Sequence, residues 1–514
     1  MRKIQSVADL SNNNVLATSR PSRREVLAML ASGLVLAASG GSEGTGAMAA
    51  EHMYTVDDLL ASESFRIAHR GSGDNWPEHS AQAYRQAVAC GARAIEISVQ
   101  ATVDGVLVCH HDLNTQRMTG VDLDIAATTF EQLAGLRNDA RAWLGPRSGL
   151  VPIPQLKDVL DEHATRRVIF IEDKQGTNTE ALLEMMDSYP DATEHFVWKQ
   201  PADSNRYRVA QQHGYRTWGY FTEDYLDRLD EFADRYDMLG MHHNARDEVI
   251  ARFVLTGKPV ICWEVHTRHL RDRLLSSGVR GLMTSNYPYV STHGPIATTD
   301  GFATGLRAAG DLPWALAWSQ QPTIDPEATS IRLDSPEKSS YCMGSMCPIS
   351  AGEYTLAFEM RWADAVPRNG EHAGIAFGQK TDLPYRVREP GAGSGYHLVV
   401  HADGVLELFG RVADTISGYS LARIATKAPL PGAWLRLTVK VTPEQIIVAR
   451  WPMPGEEFEV RVFDLMVVNN QDFRGGYFSL CKNYSDGPAV EFRSISAAEG
   501  SGSRHVENLG QAQV

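Results

Sequence analysis

Between Phe65 and Thr284, short runs of apolar and β-branched residues alternate with longer stretches of helical periodicity. Eight runs read as strands, at 65–68, 94–99, 168–172, 195–198, 217–221, 238–241, 260–263 and 281–284. Strands alternating with helices in this number predict a closed parallel (β/α)8 barrel of the TIM type. A further run, 106–109, follows strand two after only Gln100 to Gly105, too short a link for a helical crossover. It is predicted to fold back antiparallel, as a β-hairpin extension of strand two. The stretch 113–165 carries few strand signals and reads mostly as an insertion capping the barrel mouth.

Past Pro288 the period changes. Tyr354, Leu356, Phe358, Met360 and Trp362 alternate with Thr355, Ala357, Glu359 and Arg361, and Leu435, Leu437, Val439 and Val441 alternate with polar neighbours. Period two, with turns such as Asp403-Gly404, predicts a C-terminal all-β antiparallel sandwich. The expected organisation is a leader over 1–50, a barrel over 51–295, a linker over 296–325, a sandwich over 326–498 and a polar tail over 499–514.

At 514 residues the chain is long enough for two domains, and 43% hydrophobic content supplies both cores. Forty-nine Lys and Arg stand against 63 Asp and Glu, a net charge of −14 that disfavours nucleic acid and anionic membranes as partners. A small anionic substrate stays possible where local cations invert the potential. Ser22-Arg23-Arg24 precedes an apolar run over 26–38, and Ala47-Met48-Ala49 offers a small-residue cleavage site. This reads as a twin-arginine signal for export to a periplasmic or extracellular space. No other stretch approaches the ~18 apolar residues of a transmembrane segment. Of six cysteines, Cys90, Cys109, Cys262 and Cys481 read as buried small hydrophobes, and Cys342 and Cys347 are close enough in sequence to bridge.

Barrel active sites form where strands end at the C-terminal face. Strand one ends in His69-Arg70-Gly71, strand two carries Glu96, strand three ends in Glu172-Asp173-Lys174, and the hairpin returns to His110-His111-Asp112. Acid/base groups, carboxylates and cations thus converge on one rim, as metal-assisted phosphoryl transfer requires. A two-residue Asp-Gly loop would make paired residue numbers sum to an odd value, placing Glu96 and Ser98 on the face of His111 and not His110. Lys199, Trp198, Trp263, Glu264, His242, His243 and His266 end later strands and are candidates to line a pocket.

Residues 65–120 resemble the opening of the glycerophosphodiester phosphodiesterase family. His69-Arg70-Gly71, Pro77-Glu78, Gly91-Ala92, Ile95-Glu96, Asp104-Gly105 and His111-Asp112 follow its order, and Ile171-Glu172-Asp173-Lys174 resembles its later Glu-x-Lys motif. Trp263 and 278–288 resemble its closing strands, so the resemblance covers about 64–288. It implies His69 and His111 as general base and acid, and Arg70 and Lys174 as phosphate-binding cations. Glu78 is implied to orient Arg70 or contact the metal region, and Glu96 and Glu172 to hold a divalent Ca²⁺ or Mg²⁺. The implied substrates are small phosphodiesters, either deacylated phospholipids or glycerol-phosphate polymers.

One departure stands out. The family carries Glu-x-Asp on strand two, whereas this chain reads Glu96-Ile97-Ser98, and a hydroxyl is a poorer ligand than a carboxylate for a hard cation. Rival readings are a phospholipase D-like enzyme acting on intact lipids and a binding protein that has lost catalysis. The sandwich resembles laminin-G or concanavalin-like sandwiches, and two readings stand for it: binding a glycan or cell-envelope polymer, or stabilising the barrel and shaping its substrate site.

Overall fold

The computed structural model describes residues 53–500 except 314–321, 335–338, 350–351, 384–392, 414–417 and 452–463. The expected leader, and the tail beyond residue 500, lie outside the described residues.

Eight parallel strands close a barrel: β1 Phe65–Ala68, β2 Ala94–Ala101, β4 Val168–Asp173, β5 Phe196–Pro201, β6 Arg216–Phe221, β7 Met238–His242, β8 Val260–Trp263 and β9 Gly281–Thr284. Closure comes from β1, which pairs with β9 through Phe65↔Gly281 and with β2 through Ile67↔Ala94. The extra strand β3, Leu107–Cys109, returns antiparallel along β2. The fold thus follows the expected barrel, hairpin included.

Side-chain alternation explains both layers of the barrel. Outward residues such as Ile95, Ile97, Ile169 and Ile171 pack with Leu156, Val159 and Leu182 from the surrounding helices. Inward residues Ile67, Ala94, Val168, Phe170, Val197, Trp218, Met238 and Ile261 form a dry plug inside. Gly240 is required there, since a Cβ would lie 2.3 Å from Trp218 Nε1. Continuing each inward row by two residues towards the C-terminal end replaces apolar groups with chemical ones. Ala94 leads to Glu96 and Ser98, Phe170 to Glu172, Val197 to Lys199, Trp218 to Tyr220, and Ile67 to His69. The active rim is therefore the last layer of the barrel interior.

The insertion is shorter than expected. Short helices Gln116–Thr119, Phe130–Ala134 and Arg141–Leu144 belong to it, with satellite cores around Ile125 and Trp143. Leu156–His163, assigned to it from sequence, is instead an ordinary barrel helix whose Leu156, Val159 and Leu160 pack in the outer layer. Cys90 also departs from expectation, being exposed at a helix end. Cys342 and Cys347 are buried free thiols.

Beyond the barrel stand two seven-stranded antiparallel sheets. One is built on Tyr354–Trp362 and Leu435–Val441, the other on His372–Gln379, Gly395–His401 and Tyr477–Lys482. Their inner faces share one apolar core containing Leu356, Phe358, Trp362, Leu437, Phe377, Leu398 and Leu480. Strands Asp311–Pro313 and Thr323–Asp325 join these sheets from the segment expected to be linker.

The two lobes meet at Arg268, which is 1% exposed. Its guanidinium donates to Tyr289 O, Thr292 Oγ1, Gly294 O and, across the junction, Cys347 O at 2.5 Å. Asp382 of the sandwich accepts from the backbone N–H groups of Arg268 and His269 at 2.6 and 2.9 Å, in the first turn of helix Arg268–Ser276, and from the Tyr289 hydroxyl.

Candidate active site

The chain leaves β1 through a tight turn, with Arg70, Gly71 and Ser72 at φ 53°, 76° and 77°. Gly71 is dictated twice, by its positive φ and because a Cβ would lie 2.8 Å from Ala83 Cβ. The turn aims successive side chains into the mouth. His69 is buried, its Nδ1 2.9 Å from Ser285 Oγ and 3.7 Å from Glu264 Oε1. Burial takes its imidazole down to about 4, against a smaller upward pull from Glu264, so it is neutral at pH 7.

Arg70 is fixed at both ends. Its backbone N–H donates to Glu96 Oε2 at 2.9 Å, and its guanidinium contacts both Glu78 oxygens at 3.3 Å and lies 3.8 Å from Glu264. Arg117 of the insertion also holds Glu78, at 2.5 and 3.0 Å, and donates through Nε to Asp112 Oδ2 at 2.5 Å. Asp112 in turn lies 2.8 Å from His111 Nδ1. One chain of contacts therefore runs from Arg70 through Glu78, Arg117 and Asp112 to His111. Burial lowers the His111 imidazole while Asp112 pulls it up, and nearby Arg70, Lys174 and Lys199 lower it further. Arg70 and Lys199 also bear on His69, so both imidazoles sense the same two cations.

His111 does not share the sheet face of Glu96 and Ser98 as the hairpin was expected to place it. The register is Val99↔Cys109 and Gln100↔Val108, an even sum, because Thr102 and Val106 close a three-residue turn, Val103-Asp104-Gly105. His110, not His111, faces Ser98, and its N–H donates to Ser98 O. The strand ends at Cys109, however, and the chain bends: His110 is buried with Nε2 against Asn114 O, while His111 keeps 29% of its side chain exposed at the mouth. Gln100 holds this bend by donating to the carbonyls of His111 and Asp112.

Glu96 and Glu172 meet as expected, but across a lysine. Lys199 Nζ lies 2.7 Å from Glu96 Oε1 and 2.8 Å from Glu172 Oε2, the second an ion-pair contact rather than an aligned hydrogen bond. Ser98 donates to Glu96 Oε1 at 3.1 Å, and Tyr220 and Lys174 reach Glu172 Oε1 at 2.6 and 3.3 Å. Burial alone would raise the Glu96 carboxyl, yet Lys199 and the imidazoles of His69 and His79 hold it well below its ordinary range. Burial would likewise lower Lys199, and Glu172 and Glu96 override it. These donors do not fit the divalent cation the resemblance implies. Two carboxylates remain, the third position is a hydroxyl donating its proton to one of them, and an ammonium sits between. Among the described residues, no group of three His, Cys, Asp or Glu is disposed to hold a metal ion.

Two participants were only loosely legible. Glu264 and His266 form a chain with Asp74, His266 lying 3.2 Å from Glu264 Oε2 and 2.6 Å from Asp74 Oδ2. Burial opposes the His266 charge, but Asp74 and Glu264 together raise it to about 10. Trp263, Trp218 and Tyr220 stack edge-on beside the mouth, with His242 against Trp263. His243 lies beside His242 and is driven down to about 4 by burial. Trp198 is buried in the outer layer, donating to Gln200, and does not reach the site.

Residues 69–214 match the model of the Glycerophosphoryl diester phosphodiesterase family. A Mycobacterium tuberculosis protein named probable glycerophosphodiester phosphodiesterase 1 is 36% identical over 140 residues, 26% of this chain and 50% of that protein. The chain thus spans about half the length of that relative. A glycerophosphodiester phosphodiesterase of Caldanaerobacter subterraneus is 26% identical over 229 residues, 43% of this chain and 93% of that one. An Oleispira antarctica phosphodiesterase, solved with the product sn-glycerol-3-phosphate, aligns at TM-score 0.38 and 18% identity, covering 44% of this chain and 95% of its own.

Proposed function

The chain carries a glycerophosphoryl diester phosphodiesterase family domain over residues 69–214, and from that premise we propose that it hydrolyses glycerophosphodiesters to an alcohol and glycerol phosphate. The observation that carries this reading is the contact chain Arg70–Glu78–Arg117–Asp112–His111, which ties one imidazole to the turn bearing the other. His69, neutral at pH 7, takes the proton of the attacking hydroxyl, with Nδ1 engaged by Ser285 and Nε2 left for the substrate. His111, entering the step protonated with its Nδ1–H held by Asp112, gives its Nε2 proton to the leaving oxygen, and the two imidazoles exchange roles in the water step, which restores both. Arg70 and Lys174 meet the phosphoryl oxygens, where fixed donors stabilise developing charge without reorganising. The attacking hydroxyl in this scheme is the glycerol hydroxyl next to the phosphate, and water opens the resulting cyclic ester.

Export through the twin-arginine sequence belongs to the same proposal and rests on Ser22-Arg23-Arg24 and the apolar run after it. The net charge of −14 disfavours nucleic acid and anionic membranes and leaves a small-molecule substrate open. Assaying glycerophosphodiesters with the purified chain, His69→Ala and His111→Ala tests the reading. Release of glycerol phosphate by the wild type and its loss in both variants is expected. Full turnover in either variant would remove that imidazole from the mechanism.

A further inference from the structure

Glu96 is fully buried and Glu172 is 2% exposed. Two carboxylates so dry and so close need positive charge between them. Here the cation is covalently part of the chain. Lys199 Nζ lies within 2.8 Å of both, its side chain 8% exposed. Trp218 and Tyr220 wall it in, their ring centres 5.8 and 5.7 Å from Nζ. Other donors are engaged as well: Glu96 accepts from the Ser98 hydroxyl and the Arg70 backbone, and Glu172 Oε1 from Tyr220 and Lys174, leaving Glu172 Oε2 to the ion pair with Lys199.

We propose that the Lys199 ammonium has taken the place of a divalent cation between Glu96 and Glu172, so that this barrel mouth performs its phosphodiester chemistry without a metal. The proposal rests on the hydrolase reading for its second half only. Three features of the donor set point the same way. A Ca²⁺ or Mg²⁺ ion would need oxygen ligands at roughly 2.0–2.6 Å in the space the ammonium holds. It would also face that ammonium at close range, where two cations repel strongly in a site this dry. Ser98 supplies no charge that could compensate. The local balance is instead already closed, with Glu96 and Glu172 against Lys199 and Lys174.

Lys199 is thus a positioning residue, acting through Glu96 on the Arg70 backbone and through Glu172 on Lys174. Lysine and hydroxyl form a matched pair: the extra cation arrives on β5 where a carboxylate is missing from β2. A chain that departs from Glu-x-Asp at Ser98 is in this view re-equipped rather than disarmed.

The test uses the full chain after chelation, with CaCl2 and MgCl2 as probes in calorimetry and thermal unfolding. At about 10 mM of either salt, the wild-type unfolding midpoint should move by less than about 1 °C and show no saturable heat. The double variant Lys199→Ser, Ser98→Asp recreates three oxygen donors and should gain a Ca²⁺-dependent rise of about 5 °C or more. Wild-type hydrolysis should be unaffected by excess EDTA, while the double variant should lose at least about tenfold with EDTA and recover with Ca²⁺. Saturable Ca²⁺ binding by the wild type that Glu96→Gln abolishes would overturn the proposal, as would a folded double variant that binds no metal. Should the double variant fail to fold, the wild-type calorimetry decides alone. Wild-type protein that binds no metal and hydrolyses no glycerophosphodiester under any condition would refute the hydrolase reading and leave the Lys199 assignment standing.

Discussion

The barrel and the sandwich bury their residues to opposite ends. In the sandwich, the inward rows of Tyr354–Trp362 and Leu435–Val441 stay apolar from end to end and meet the facing sheet in one continuous core. On the other face of these strands the buried carboxylate of Glu359 is gripped by Arg436 and Arg493. In the barrel, the inward rows of β1, β2, β4 and β5 begin apolar and end in an ionisable group, so that His69, Glu96, Glu172 and Lys199 are buried. A sheet that packs against another sheet has no open end to its core. A closed barrel has a mouth, and its last interior layer is where desolvated charge can be held in fixed geometry and still meet a substrate.

If that contrast is right, substitutions in the two regions should fail in different ways. The largest effect belongs to His69→Ala, expected to lower kcat/KM by roughly 10²–10⁴-fold, measured as glycerol phosphate release with the fold monitored by circular dichroism. Leu437→Ala, at a fully buried sandwich position, should reduce stability by about 2–5 kcal/mol in urea unfolding and leave kcat/KM unchanged below the transition. A fall in kcat/KM there would break the division of labour. Arg70→Lys keeps the charge but loses the planar fork between Glu78 and the substrate, for an expected loss of about 10–100-fold in kcat/KM.

The smallest effect is a pH slope. The folded-state pKa of His266 is raised from 6.5 to about 10 by Asp74 and Glu264 acting against burial. A raised pKa contributes stability that is complete below the unfolded value and is lost as pH rises through the folded one. Unfolding free energy should therefore decline between about pH 6.5 and 10 in the wild type. His266→Asn should show a shallower alkaline slope, and equal slopes would remove His266 from the rim's electrostatics.

Much of this was legible because strand periodicity and barrel geometry are strongly coupled. The strands Phe65–Ala68, Val260–Trp263 and Gly281–Thr284 match the expected bounds residue for residue, and the others shift at one or both ends by one to three positions. The position of His111 is a different case. The hairpin register depended on turn length, and Asp104-Gly105 fits a three-residue turn as readily as a two-residue one. Lys199 was visible as a strand-end cation, but its role was not. The inward row of Val197, carried two residues further, sets Lys199 on the layer of Glu96 and Glu172. Glu264 and His266 depend on the path of the chain after β8, which no short-range pattern specifies.

The junction at Arg268 carries one more consequence. A boundary drawn through the segment between the lobes looks like a natural place to divide the chain, yet division would take from the buried Arg268 guanidinium its acceptor on the far side, Cys347 O. It would also strip the opening amides of helix Arg268–Ser276 of Asp382. The two lobes read as separate parts in sequence but share a seam whose hydrogen bonds are complete only when both are present.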